Sequence, residues 1–196
     1  KQTIAKSYNL TSLLDMSVYH VLHSRWELDR PALEGMSYLE LHEQVMRYVT
    51  WLQCKGVRKG DVLCVQLPKS PELLFVILAA MASGVPVLPL NEAYTPAEIL
   101  FYLNDCEPAL AILEQDSVDW SGKICSPEEL QEAVRCSPAV LPPIVPDHEQ
   151  ALFLYTSGTT GKPKGAMISH RNILACVEAL HHAWRWTKTD RLLHVL

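Results

Sequence analysis

Three short apolar runs separated by capped helices constrain this chain more than any other feature. Val62-Leu63-Cys64-Val65-Gln66-Leu67, Val85-Pro86-Val87-Leu88-Pro89-Leu90 and Ala109-Leu110-Ala111-Ile112-Leu113 are nearly continuous in apolar residues, which marks strands buried on both faces. Between the first two, Ser70-Pro71-Glu72 supplies an N-cap, a proline at the first helical position and an early acid, and Gly84 stops the helix. Between the second and third, Thr95-Pro96-Ala97-Glu98 repeats the capping logic ahead of Ile99, Leu100 and Leu103. Strand, helix, strand, helix, strand in immediate succession requires right-handed crossovers and a parallel sheet. The expected fold class is therefore α/β, a parallel-rich sheet flanked by helices. Pro86 and Pro89 cannot donate to a ladder, so the second strand is expected at an edge or with pairing along only part of its length.

The flanking segments extend this pattern. Leu10, Leu13, Leu14, Val18, Leu22 and Trp26 suggest one amphipathic helix near the start. Ser37 and Glu40 have capping-box spacing, and Leu41, Val45, Val49 and Leu52 mark a helical face that ends at Gly56. Residues 114–122 read as a loop, and Ser126-Pro127-Glu128-Glu129 opens a further helix. Glu128 and Glu129 are adjacent and cannot face each other on a helix, so they read as a solvated first turn rather than an acid pair. Prolines at 138, 142, 143 and 146 make residues 137–150 a stiff connector. This divides the chain into an alternating unit over 1–136, the connector, and the start of a second subdomain over 151–196.

That last segment carries the chemistry. Ala151-Leu152-Phe153-Leu154-Tyr155 reads as a buried strand, and Thr156-Ser157-Gly158-Thr159-Thr160-Gly161-Lys162-Pro163-Lys164-Gly165 follows it. The run holds glycines, hydroxyls and lysines and no large apolar side chain, so core packing cannot hold it. Glycines let backbone N–H groups approach an anion, hydroxyls donate further bonds, and lysine adds a movable charge. The composition points to a phosphate-binding loop. It is not a Walker loop, because Gly158 and Gly161 are too close and Pro163 follows Lys162. Nor is it the dinucleotide fingerprint, whose glycine spacing differs. After it, Ala166-Met167-Ile168 reads as a brief strand, Ser169 caps a helix from about Arg171 to Trp184, and Leu192 to Leu196 begins a strand.

Composition excludes several functions. The net charge is −5, from 17 basic and 22 acidic side chains without a basic face, which argues against a nucleic-acid groove. Leu73 to Ala82 is too short to span a bilayer. The six cysteines, at 54, 64, 106, 125, 136 and 176, form no Cys-x-x-Cys pair and read as small buried thiols. They fit a reducing compartment, cytoplasm or mitochondrial matrix, rather than a secreted protein. The chain starts at Lys1 without methionine, which fits a processed or excised piece.

YTSGTTGKPKG, unbroken from Tyr155 to Gly165, resembles the phosphate-binding loop of the adenylate-forming superfamily, which includes acyl-CoA synthetases, luciferases and peptide-synthetase adenylation domains. Gly84 to Asn91 and Asn104-Asp105-Cys106-Glu107-Pro108 also look like family segments. The resemblance implies an ATP-dependent acyl-CoA synthetase: a carboxylate attacks the α-phosphate of ATP, pyrophosphate leaves, and the acyl group passes to a thiol, usually that of coenzyme A. Carried over residue by residue, Thr156, Ser157, Gly158, Thr159, Thr160, Gly161, Lys162, Pro163 and Lys164 would hold the ATP phosphates, with Thr156 as a ligand of Mg²⁺. The family's segments for adenine and ribose, its hinge and its adenylation lysine would lie past Leu196, so the resemblance implies an N-terminal fragment that is inactive alone and depends on the missing part. Pro89 to Thr95, Trp184 to Thr187 and Leu192 to Val195 most resemble the malonyl-CoA synthetase branch, which activates small dicarboxylates. Arg185, between two tryptophans, reads as a helix-end arginine stacked on aromatics ahead of a carboxylate binder, and His181 and His182 as surface residues. The alternatives are a peptide-synthetase adenylation domain, a nucleotide-binding or regulatory module without chemistry, and a structural fragment with an empty loop.

Overall fold

The computed structural model describes residues 15–113, 118–156, 163–187 and 190. The first helix is α1, Val18–Arg25. It covers the second half of the amphipathic stretch expected there; Leu10, Leu13 and Leu14 lie outside the described residues. A small hairpin of β1, Pro31–Leu33, and β2, Met36–Ser37, leads into α2, Tyr38–Cys54. Ser37 and Glu40 close the capping box at its start.

The alternating unit follows as β3 (Leu63–Gln66), α3 (Pro71–Ser83), β4 (Val87–Pro89), α4 (Pro96–Cys106) and β5 (Leu110–Leu113). Each helix starts where the sequence places its cap: Ser70 accepts from the Leu73 N–H, and Thr95 from that of Glu98, which returns a bond to the Thr95 N–H. Then come β6 (Ile124–Cys125), α5 (Pro127–Arg135), β7 (Gln150–Thr156), β8 (Lys164–Ser169) and α6 (His170–Trp184). Sheet order is β6-β5-β3-β4-β7-β8, parallel throughout except for the antiparallel pair β7–β8.

This order explains the two-sided burial. From β3 the chain steps one place to β4, then returns past β3 to β5. Two right-handed crossovers running in opposite directions must put their helices on opposite faces. Accordingly α3 packs Val76, Ala79 and Ala80 with Leu63, Val65, Val87, Leu110 and Ile112. On the other face α4 packs Ile99 and Leu103 with Cys64, Leu88, Ala111 and Leu113. Alternate residues of one strand thus feed different cores, and no polar face remains on β3 or β5.

For β4, limited pairing rather than an edge position is realised. It lies between β3 and β7, and its ladder with β7 is confined to the single register pair Val87–Leu152. Pro86 serves as an acceptor, its carbonyl receiving the Leu63 N–H at 2.9 Å. The two-residue β6, for which the sequence carries no expectation, pairs with Ala111 and Ile112 of β5. Beyond the proline-rich connector the sheet continues through β7. Within the connector Val145 is buried, and its carbonyl accepts from Ser17 N at 2.7 Å.

Gly84, the stop of α3, has φ +68, and a Cβ built there would sit 3.0 Å from Lys59 Cγ and 3.3 Å from Val145 Cγ1. Gly84→Ala is expected to cost about 1–2 kcal/mol, from left-handed strain plus this crowding, read as a lower urea midpoint.

Candidate functional site

The phosphate-loop sequence joins the two strands of an antiparallel hairpin. Tyr155 pairs with Gly165 and Thr156 with Lys164, so β7 and β8 hold the two ends of the loop in register. Ser157, Gly158, Thr159, Thr160, Gly161 and Lys162 lie outside the described residues; Thr156, Pro163 and Lys164 lie within them. Because β7 runs parallel to β4, Thr156 leaves the sheet at the carboxyl edge, where β3 ends at Gln66 and β4 at Pro89. Strands β3 and β4 feed helices on opposite faces, and ligands of open α/β sheets bind beyond the carboxyl ends at such a divergence. At this edge the buried Gln66 donates from Nε2 to the Asn91 carbonyl at 2.8 Å.

The root of the loop is fixed from one face. Along β7, Leu152 faces the core that holds α3, while Phe153 and Tyr155 face the one that holds α4. The Phe153 ring lies on Gly165, where an added Cβ would meet it at 2.5 Å. Tyr155 contacts the Tyr102 ring at 4.7 Å between centroids, and Tyr102 stacks on Tyr94 at 5.3 Å. The Tyr155 hydroxyl donates to Asp105 Oδ2, and burial together with this carboxylate pushes the phenol above its usual range. Thr156 Oγ1, exposed, reaches the Lys164 carbonyl at 3.4 Å. The Lys164 side chain is also exposed. A hydroxyl and an ammonium at the two ends of the loop suit an anionic ligand, and the hydroxyl oxygen is a donor of the hard type that Mg²⁺ takes.

Asp105 and Tyr102 belong to the site although sequence reasoning gave them no role. One signal was available: Asp105 sits in the last turn of a helix, where the dipole disfavours a carboxylate, so the side chain needs a donor.

The other candidates lie elsewhere. Glu128 and Glu129 occupy the first turn of α5, and Glu129 pairs with Lys55 across to α2. His181 and His182 are exposed on α6. Arg185 is the left-handed C-cap of that helix at φ 54, exposed, between Trp184 and Trp186 whose rings are 5.2 Å apart. Residues 191–196 are outside the described residues. The cysteines depart from expectation: Cys64 and Cys125 are buried, but Cys54, Cys136 and Cys176 are exposed. The first two of these end α2 and cap α5, and the third lies within α6, positions that a local apolar pattern does not distinguish from the core.

Comparison with known proteins gives a consistent result. The family described as AMP-binding enzyme matches residues 23–196. The dimodular nonribosomal peptide synthase of Bacillus subtilis is 32% identical over 171 residues, 80% of this chain and 7% of that protein. Tyrocidine synthase 3 of Brevibacillus parabrevis is 27% identical across the whole chain, which covers 3% of it. Among solved structures, apo MatB from Rhodopseudomonas palustris superposes with a TM-score of 0.78 at 27% identity over 88% of this chain and 38% of that one. The ATP-bound MatB structure matches at 32% identity and a TM-score of 0.69, over 77% of this chain and 33% of that one. The chain thus spans well under half the length of these relatives.

Proposed function

This chain belongs to the AMP-binding enzyme family, and from that premise we propose that it is the N-terminal part of an ATP-dependent acyl-CoA synthetase, holding the phosphates of ATP during adenylate formation. The observation that carries the reading is the hairpin whose register sets Thr156 beside Lys164 at the carboxyl edge of the sheet, at the two ends of an unbroken YTSGTTGKPKG. In the reaction a carboxylate oxygen attacks the α-phosphorus of ATP, the bond to the β-phosphate bridging oxygen breaks, and pyrophosphate leaves. The acyl group then passes to the coenzyme A thiol. Lys162 and Lys164 offset charge on the departing pyrophosphate, and Ser157, Thr159 and Thr160 donate to its oxygens. The Thr156 hydroxyl would be one ligand of Mg²⁺, which would supply charge neutralisation at the phosphates. Adenine and ribose contacts come from outside these residues, so formation of acyl-CoA by residues 1–196 alone would contradict the proposal.

The similarity to peptide synthetases favours a second reading, an adenylation domain that activates an amino acid. Both share the first half-reaction and differ in the carboxylate and in the thiol that receives the acyl group. The test is ATP–pyrophosphate exchange by the gene product that carries this chain, with malonate, fatty acids and amino acids as substrates, followed by a coenzyme A thioester assay. Exchange driven by a simple or dicarboxylic acid with thioester formation supports the synthetase; exchange driven by amino acids alone moves the assignment to the second reading. No exchange with any carboxylate overturns both. Lys164→Ala is expected to raise the ATP KM of the exchange roughly tenfold to a hundredfold, the worth of one charge-assisted phosphate contact.

A further inference from the structure

Within residues 1–196 the hairpin that carries the loop lies at the end of the sheet. Strand β8 is largely exposed along its length, and of the β7 residues Ala151 is fully buried while Leu152 to Tyr155 are partly so. Among the described residues, the side-chain contacts at the distal end of the hairpin, next to Thr156, come from a neighbouring element. On the face shared with α4, Tyr155 supplies a ring contact to Tyr102 and a hydroxyl bond to Asp105, two side chains from successive turns of that helix. Helix α4 is itself anchored in the core by Ile99 and Leu103, both fully buried.

We propose that Asp105 is a positioning residue for the ATP phosphates: its carboxylate holds the Tyr155 hydroxyl and thereby sets where Thr156 and Lys164 deliver the loop. The inference rests on the phosphate-holding role given above. Two features make the pair suited to positioning. Asp105 bears the dipole penalty of a helix C-terminus, which a donor from another element relieves, so the bond favours one arrangement of hairpin against helix. Tyr155 is a rigid ring with few rotatable bonds and is followed directly by Thr156, so a displacement of its hydroxyl is passed to the first loop residue with little slack.

The experiment uses the full gene product and follows ATP–pyrophosphate exchange with the best carboxylate. Tyr155→Phe and Asp105→Ala are each expected to raise the KM for ATP roughly tenfold, the value of one hydrogen bond to a charged group, and leave the KM for the carboxylate unchanged. The double variant is expected to be no worse than either single one, because both remove the same bond. Asp105→Asn, which keeps an acceptor oxygen, is expected to recover most of the loss. Equal changes in both KM values, additive losses, or a Tyr155→Phe enzyme with unaltered ATP dependence would overturn the positioning role. If the unaltered enzyme shows no exchange with any carboxylate, the phosphate-holding reading itself fails, which the variants alone do not report.

Discussion

Acidification from pH 7 to pH 4 is expected to destabilise the chain by on the order of 5 kcal/mol through two buried histidines, each pH unit of withheld protonation being worth about 1.4 kcal/mol per ring. His20 and His170 are 6% and 0% exposed. His20 Nδ1 lies 2.7 Å from Ser17 Oγ, and His170 Nδ1 accepts from the Val18 N–H at 3.3 Å. His170 Nε2 is buried with no hydrogen-bond partner among the described residues, so a charged ring has nothing to offset it there. Burial holds both rings down to about 4, assisted at His20 by His23 and at His170 by His20; Glu149 and Asp147 oppose this at His170 only weakly. The sign follows from the depressed values. An imidazole that binds its proton less readily folded than unfolded contributes stability that is complete above 6.5 and is lost as the pH falls from there towards 4. His42, also held near 4 by burial, adds to the loss in the same window. Below it Asp147, whose carboxyl is lowered mainly by its bond to Arg171, loses its advantage as well.

These groups lie where three distant segments meet. Asp147 N bonds to the Asp15 carbonyl at 3.2 Å, Arg171 N to the Asp147 carbonyl at 2.7 Å, and the Arg171 guanidinium takes both Asp147 oxygens at 2.6 and 2.9 Å. Acid is therefore expected to release the N-terminal segment and the start of α6 ahead of β3 and β5, visible as early amide exchange at residues 15–21 and 170–174. Urea midpoints measured at half-unit pH intervals check the size. His170→Asn, which retains an acceptor for Val18, should remove about a third of the slope between pH 6.5 and 4.5, since His20 and His42 titrate in the same window, and a flat profile for the original chain would rule out the histidine contribution.

The same cluster shows what a sequence conceals. Strands β3, β4 and β5 were legible because burial on both faces writes a continuous apolar run, and the helix starts because a cap is a local event between residues three apart. Ser169 was legible as a cap, although its reciprocal partner is Asn172 rather than an acid. The family was legible from the run Tyr155 to Gly165 by composition and resemblance together. The histidine clasp was not, since His170 and Val18 lie 152 positions apart. Tyr155 and Asp105 are 50 apart, and neither residue type alone predicts the other. The hairpin β1–β2 and strand β6 were missed for a different reason: two or three residues carry no measurable period, and their pairing is decided by the register of neighbours already in place.

Leu103→Ala is expected to destabilise the chain by about 2–5 kcal/mol, the usual range for emptying a leucine site in a closed core. The site has little capacity to collapse. Leu103 is 0% exposed, and besides Ile99 it is the buried residue of α4, so the helix has two pegs in the core against Leu88, Leu113, Ala111 and Cys64. On the opposite face α5 is held in a comparable way by Leu130 and Val134, with Leu130 also 0% exposed. Leu130→Ala should therefore lower the urea midpoint to a similar extent. The two variants part in function, because α4 carries Asp105 and Tyr102 beneath Tyr155 whereas α5 carries nothing that reaches the described ends of the loop. At a temperature where both variants remain folded, Leu103→Ala should weaken the ATP dependence of pyrophosphate exchange and Leu130→Ala should not. Equal effects of the two on ATP would mean that the loop responds to the stability of the whole sheet rather than to the seat of one helix.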